Sequence, residues 1–175
     1  MRYMDGKNEY VQDLEELIDK YWLPAGWFET PDHIAVKCSN SIDFEDTLDW
    51  YKDKSAQLSL VEMDGRRLAA AKMFSSITIA SLGSVEWVEI MEPRPEKAGR
   101  DVVGFEHMEF YYPDFEAIKD ILKDRRIKFE MQKNPGHAWI NVVLNSAGQE
   151  VKFNDKPLSE VVAHEIETGQ SLIVN

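Results

Sequence analysis

Two histidines with an acid immediately before each, Asp32-His33 and Glu106-His107, are the residues most able to do chemistry in this chain of 175 residues. Each opens a short run with apolar residues at alternate positions, Ile34, Val36 and Cys38 in one and Met108, Phe110 and Tyr112 in the other. That is the period of a strand with one buried face, and residues two apart in a strand share a face. His33, Ala35 and Lys37 therefore fall on one side of the first run, and His107, Glu109 and Tyr111 on one side of the second. A run at 84–92 puts Val85, Trp87, Glu89 and Met91 on one side, and a run at 149–153 puts Glu150 and Lys152 together. Two imidazoles with a carboxylate such as Glu89 form a set that suits iron, manganese, nickel or zinc. Glu109 is then a candidate base, Lys152 a candidate stabiliser of negative charge, and Lys37, Trp87 and Tyr111 candidate pocket walls. The plain alternative is a set of interior ion pairs, Lys37 with Glu109 and Lys152 with Glu89, the histidines merely hydrogen-bonded.

The elements that must position these residues repeat. Each acid-His run is followed closely by Asp-Phe-Glu, at 43–45 and again at 114–116, so the pattern recurs after about 70 residues. Each triplet opens a stretch with helical spacing, 43–54 and 114–125, where an aspartate can accept hydrogen bonds from the first amides. Three strand-like runs then follow in each half: 57–63, 66–81 and 84–92, then 127–132, 138–144 and 149–153. Asp64-Gly65 marks a hairpin turn. The expectation is an α+β fold of two β-α-β-β-β modules, 29–95 and 104–156. An amphipathic helix precedes them within 1–28, and a helix and tail follow at 157–175, all in one domain.

The doubled unit with a histidine on each opening strand resembles the vicinal-oxygen-chelate superfamily, the glyoxalase, bleomycin-resistance and extradiol dioxygenase group. Three segments are similar to its YecM family: Pro31 to Cys38, Gly104 to Phe110, and Val151 to Asn154 leading into Leu158 to Glu165. The resemblance implies a partly closed mixed barrel with helices outside and a divalent metal within. Its ligands would come from the first and last strands of each module, which are His33, Glu89, His107 and Lys152 here. Lysine stands where the glyoxalase-like pattern has glutamate, in Gly148-Gln149-Glu150-Val151-Lys152-Phe153. A three-ligand site with Lys152 facing a substrate oxygen remains. The implied activity is that of a metal-dependent isomerase, lyase or dioxygenase on a small oxygen-rich molecule. The superfamily also holds metal-free binding proteins that use the same cleft, which is the alternative.

Composition narrows the partners. Twenty basic against 32 acidic residues give a net charge of −12, which repels nucleic-acid phosphates and anionic lipid. One cysteine, Cys38, excludes an internal disulfide and reads as a small buried hydrophobe. No apolar run suggests a signal peptide or membrane span, so the expectation is a cytoplasmic monomer or homodimer with a small-molecule ligand. His137 in Asn-Pro-Gly-His reads as an exposed turn residue, and His164 as a surface one.

Overall fold

The computed structural model describes residues 13, 14, 16, 31–78, 83–95, 103–134, 136–144 and 149–175. Of the expected N-terminal helix, only Asp13, Leu14 and Glu16 are described; they are helical, and Leu14 is buried in the core. The remainder of that segment lies outside the described residues.

The first module runs β1 (His33–Lys37), α1 (Ser41–Lys52), β2 (Ser55–Met63), β3 (Arg66–Thr78) and β4 (Ser84–Met91). The second repeats the order with β5 (Gly104–Tyr111), α2 (Phe115–Asp124), β6 (Glu130–Asn134), β7 (His137–Val143) and β8 (Glu150–Asn154). Helix α3 (Leu158–Glu167) and a short strand β9 (Ser171–Ile173) follow. The β9 strand, unexpected from the sequence, pairs antiparallel with β2.

Local chemistry explains the element ends. Asp64 and Gly65 both take positive φ, 51° and 71°, as a two-residue hairpin matched to strand twist requires. Helix α1 begins earlier than the Asp-Phe-Glu pattern suggests. Asn40 is its cap and accepts from the amides of Ile42 and Asp43, while the Asp43 carboxylate turns back to accept from Ser39. In α2 the expected residue does cap, since Asp114 accepts from the Ala117 amide.

All strands join one sheet in the order β6-β7-β8-β5-β1-β4-β3-β2-β9. Within each module the first and last strands pair in parallel, β1 with β4 and β5 with β8. The modules meet along the antiparallel β1–β5 seam. Among the described residues the hydrogen-bonded ladder of this mixed sheet does not close into a full barrel. Asn134 at the end of β6 does reach Met63 at the end of β2, with Nδ2 2.9 Å from Sδ, so side chains bridge what backbone pairing leaves open.

Helices α1 and α2 cover one face. Phe44, Leu48 and Tyr51 of α1 and Ile118 and Leu122 of α2 pack on Ile34, Val88, Ile90, Met108, Phe110, Val151 and Phe153. This is the apolar face that the alternation predicts. Helix α3 lies against the opposite face. Its Leu158 and Val162 pack on Ala70, with Trp87 and Ile166 against them. Ala70 is the cross-strand neighbour of Glu89, so α3 covers the face that carries the ionisable residues. Its amphipathic spacing fixes which stripe is apolar, but not which layer that stripe meets. Among the described residues no helix is long and apolar enough to cross a membrane.

Candidate metal centre and its cleft

The register of the sheet assembles the site in two adjacent rows. One row reads Ala70, Glu89, Ala35, His107 across β3, β4, β1 and β5. The next reads Trp87, His33, Glu109, Lys152 across β4, β1, β5 and β8. Members of the two rows are two residues apart on each strand, so they share a face. Ala35, fully buried, stands between Glu89 and His107, and its methyl group leaves open the space that those two side chains and His33 overhang.

His33, Glu89 and His107 each offer a ligand atom, and these atoms lie within 4.8 Å of one another. The preceding acids aim both imidazoles. His33 Nδ1 lies 2.8 Å from Asp32 Oδ2, and His107 Nδ1 lies 2.7 Å from Glu106 Oε2. Those bonds occupy Nδ1 and turn Nε2 inward, which is how outer-shell carboxylates orient histidine ligands. His107 is fully buried and its Nε2 makes no hydrogen bond of acceptable geometry, although Glu109 and Glu89 oxygens stand 3.2 and 3.6 Å away. An inward-facing buried nitrogen, a second imidazole and a carboxylate together are a donor set that fits a divalent ion.

Glu109 sits between the rings, its Oε2 3.4 Å from His33 Nε2 and 3.2 Å from His107 Nε2. Burial pushes its carboxyl up, but His33 and His107 outweigh that and hold it well below the usual range. Burial pushes His33 down, while Glu109 and the Asp32 hydrogen bond raise it further, to about 10. Glu106 is likewise held below the carboxylate range, because His107, Lys152 and Lys37 overcome its burial.

Several placements differ from the sequence reading. Lys37 is buried and paired with Glu106, not with Glu109, and does not line the cleft. The cause is a bulge in β5: Ala35 pairs with His107 but Val36 with Phe105, so Glu106 is an extra residue whose side chain leaves the alternation. Trp87 packs under α3 rather than lining the cleft. Tyr111, the last residue of β5 and the partner of Asn154, is 44% exposed and lies outside the cleft. Lys152 does line it, beside Glu109, with its Nζ 4.0 Å from Glu150 rather than paired to Glu89.

His33, Glu89, Glu109 and Lys152 from these rows line the floor of a cavity of about 350 Å³ whose roof is α3, and the fully buried His107 lies beneath that floor. Asp32 ties floor to roof, since the Oδ2 that meets His33 also accepts the Leu158 amide at 2.8 Å. Two wall residues escaped the sequence reading. His137 opens β7 and stacks on Trp139, with centroids 4.9 Å apart and planes at 22°, and burial lowers its pKa. Glu165 projects from α3, where burial and the nearby Glu89 push its carboxyl up to about 7. The two residues before it, Ala163 and His164, are exposed and gave no sign of that inward face.

The YecM protein family model matches residues 2–154. This chain belongs to the YecM family. Solved structures of similar architecture align over most of the chain. A structural genomics target, protein EC4020, is 21% identical with a TM-score of 0.69, covering 90% of this chain and 93% of that one. A hypothetical protein from Bacillus halodurans is 18% identical, with a TM-score of 0.54 over 73% of this chain and 94% of its own. A variant of methylmalonyl-CoA epimerase from Streptomyces coelicolor, in complex with 2-nitronate-propionyl-CoA, is 17% identical. Its TM-score is 0.50, over 73% of this chain and 96% of the epimerase. At these identities the likeness shows the fold. No curated protein matches this YecM-family sequence.

Proposed function

We propose that the protein is a divalent-metal-dependent enzyme of the vicinal-oxygen-chelate type. It acts on a small oxygen-rich substrate by moving a proton next to a carbonyl. The observation that carries this reading is the convergence of His33, Glu89 and His107, with the buried His107 Nε2 lacking a well-formed hydrogen bond, at the floor of a cavity that His33 and Glu89 line. A bound ion would act there as a Lewis acid on the substrate's oxygen. Iron, nickel, manganese and zinc all suit the donor set.

The chain's own groups supply the rest. Glu109 is buried, ionised and within 3.4 Å of both imidazoles, so it is the base placed to take a proton from a carbon over the floor. Lys152, its neighbour across the β5–β8 ladder, directs an ammonium group into the same cavity to stabilise the negative charge that develops. Trp139, His137 and the apolar face of α3 limit the water around them. The fold likeness to an epimerase whose structure holds a nitronate analogue of an acyl-CoA supports proton transfer over the other superfamily chemistries.

The ion pair of His33 with Glu109 favours a second reading. These two groups satisfy each other without an ion, as a metal-free binding or sequestering protein requires.

Metal analysis of protein purified without chelators, wild type beside His33→Ala and His107→Ala, separates the two. The expected result is about one divalent ion per chain, lost in both variants. Wild-type protein that stays empty after soaking with iron(II), nickel and zinc overturns the enzyme reading in favour of the second.

A further inference from the structure

The cleft above the metal centre has a second, chemically different end. Arg66 opens β3, Arg94 follows β4 and Lys133 lies on β6, so residues from both modules converge on one cavity. Arg66 and Arg94 are half-buried and Lys133 is exposed. The neighbour that Arg66 does have is weak, with Nη1 3.9 Å from Met91 Sδ. Among the described residues, none of the three has a carboxylate within ion-pair distance.

That is anomalous in a chain with 32 acids and 20 bases. The adjacent Arg67 is held by both Glu45 and Glu92, and Lys37 by Glu106. Asp64 lines the same cavity two residues before Arg66, yet forms no ion pair with it. Guanidinium groups withdrawn from water without a counter-charge are costly, and a planar fork is suited to a carboxylate or phosphate. The distance also fits a ligand. Arg66 precedes Ala70, the cross-strand partner of Glu89, by four residues, which is roughly 13 Å of strand.

We propose that the ligand is an elongated anion, with a carboxylate or phosphate gripped by Arg66 and Arg94 and screened by Lys133 at the mouth. Its oxygen-rich end reaches the His33–Glu89–His107 floor. The inference rests on the metal-site reading only for the position of that far end.

Isothermal titration of chelator-treated full-length protein with inorganic phosphate, and separately with succinate, tests it. Wild type should bind at least one probe saturably, with an affinity that falls as sodium chloride rises. The Arg66→Gln/Arg94→Gln double variant should lose at least tenfold. An Arg66→Lys/Arg94→Lys variant should keep part of the affinity, and unchanged melting of both variants shows that the fold is intact. Stronger binding of one probe tells which anion the fork prefers. No saturable binding of either probe, or equal affinity in the glutamine variant, overturns the proposal. Nickel binding by the same proteins keeps the two readings apart. Phosphate binding without nickel binding sinks only the metal centre, and nickel binding without anion binding sinks only the anion grip.

Discussion

His33 and His107 stand diagonally across the β1–β5 seam, their ring centroids 6.0 Å apart and their planes at 73°. The rings meet edge to face, and each is aimed by the acid before it, so four side chains rather than two set where the Nε2 atoms point, with the Glu109 carboxylate between them. A duplicated module explains the economy of this: one acid-His dipeptide, used twice on antiparallel strands, presents two inward nitrogens to one point.

Ala35 lies between Glu89 and His107 in the sheet. An Ala35→Leu variant would fill the space that the ligand atoms overhang. It should lose divalent-metal binding while costing about 1–3 kcal/mol, the usual penalty for overpacking. Metal titration beside urea denaturation checks both parts. Undiminished metal binding would place the ion elsewhere.

The Lys37–Glu106–His107 chain makes a second prediction. Glu106→Gln should weaken metal affinity by about 10–100-fold by loosening the aim of His107, without touching the donor atoms. Lys37→Met leaves Glu106 buried against one fewer positive charge and should destabilise the protein by about 3–5 kcal/mol. The two variants together should cost less than the sum of the separate losses, which chemical denaturation measures.

Much of this geometry was legible in the alternation of the strands. His33, Glu89, His107 and Glu109 lie in regularly paired stretches, where counting by twos gives the right face. Glu106 was not legible, because a bulge adds one residue and parity fails there. Tyr111 obeys parity, yet it is 44% exposed while Asn154 and Trp139 of the same row line the cavity, and a period of two does not say which member of a row is covered. The roof was not legible either. The spacing of Val161, Val162 and Ile166 shows an apolar stripe, but Ala70 and Trp87, which receive α3, belong to a different module. Arg94 and His137 lie beside turns, where no period assigns a direction.

Acid stability should depend on Glu92. Arg67 holds its carboxyl down to about 2, so this pair stabilises the fold above the unfolded value near 4.5 and is lost as pH falls toward 2. The contribution is about 1–3 kcal/mol, typical of a charge-assisted bond. Denaturation between pH 6 and pH 2 should show a shallower loss in Arg67→Met than in wild type. Equal slopes would remove the pair from the account.

Glu165 acts in the opposite sense. Its carboxyl is raised to about 7, so the folded chain keeps a proton that the unfolded chain releases above about 4.5. Stability therefore falls as pH rises from about 4.5 through 7, by on the order of 1 kcal/mol after allowance for its partial exposure. Glu165→Gln should remove that fall in chelator-treated protein, and identical pH profiles would contradict it.

The two imidazoles of the centre are not moored alike. His107 answers to Glu106 and, through it, to a lysine sealed in the sheet. His33 answers to an oxygen whose second lone pair is already given to the first amide of α3. Whatever lifts that helix to admit a molecule must therefore either stretch the Leu158 contact or carry Asp32 along with it. One half of the centre is bolted to the frame, and the other half is hung from the door.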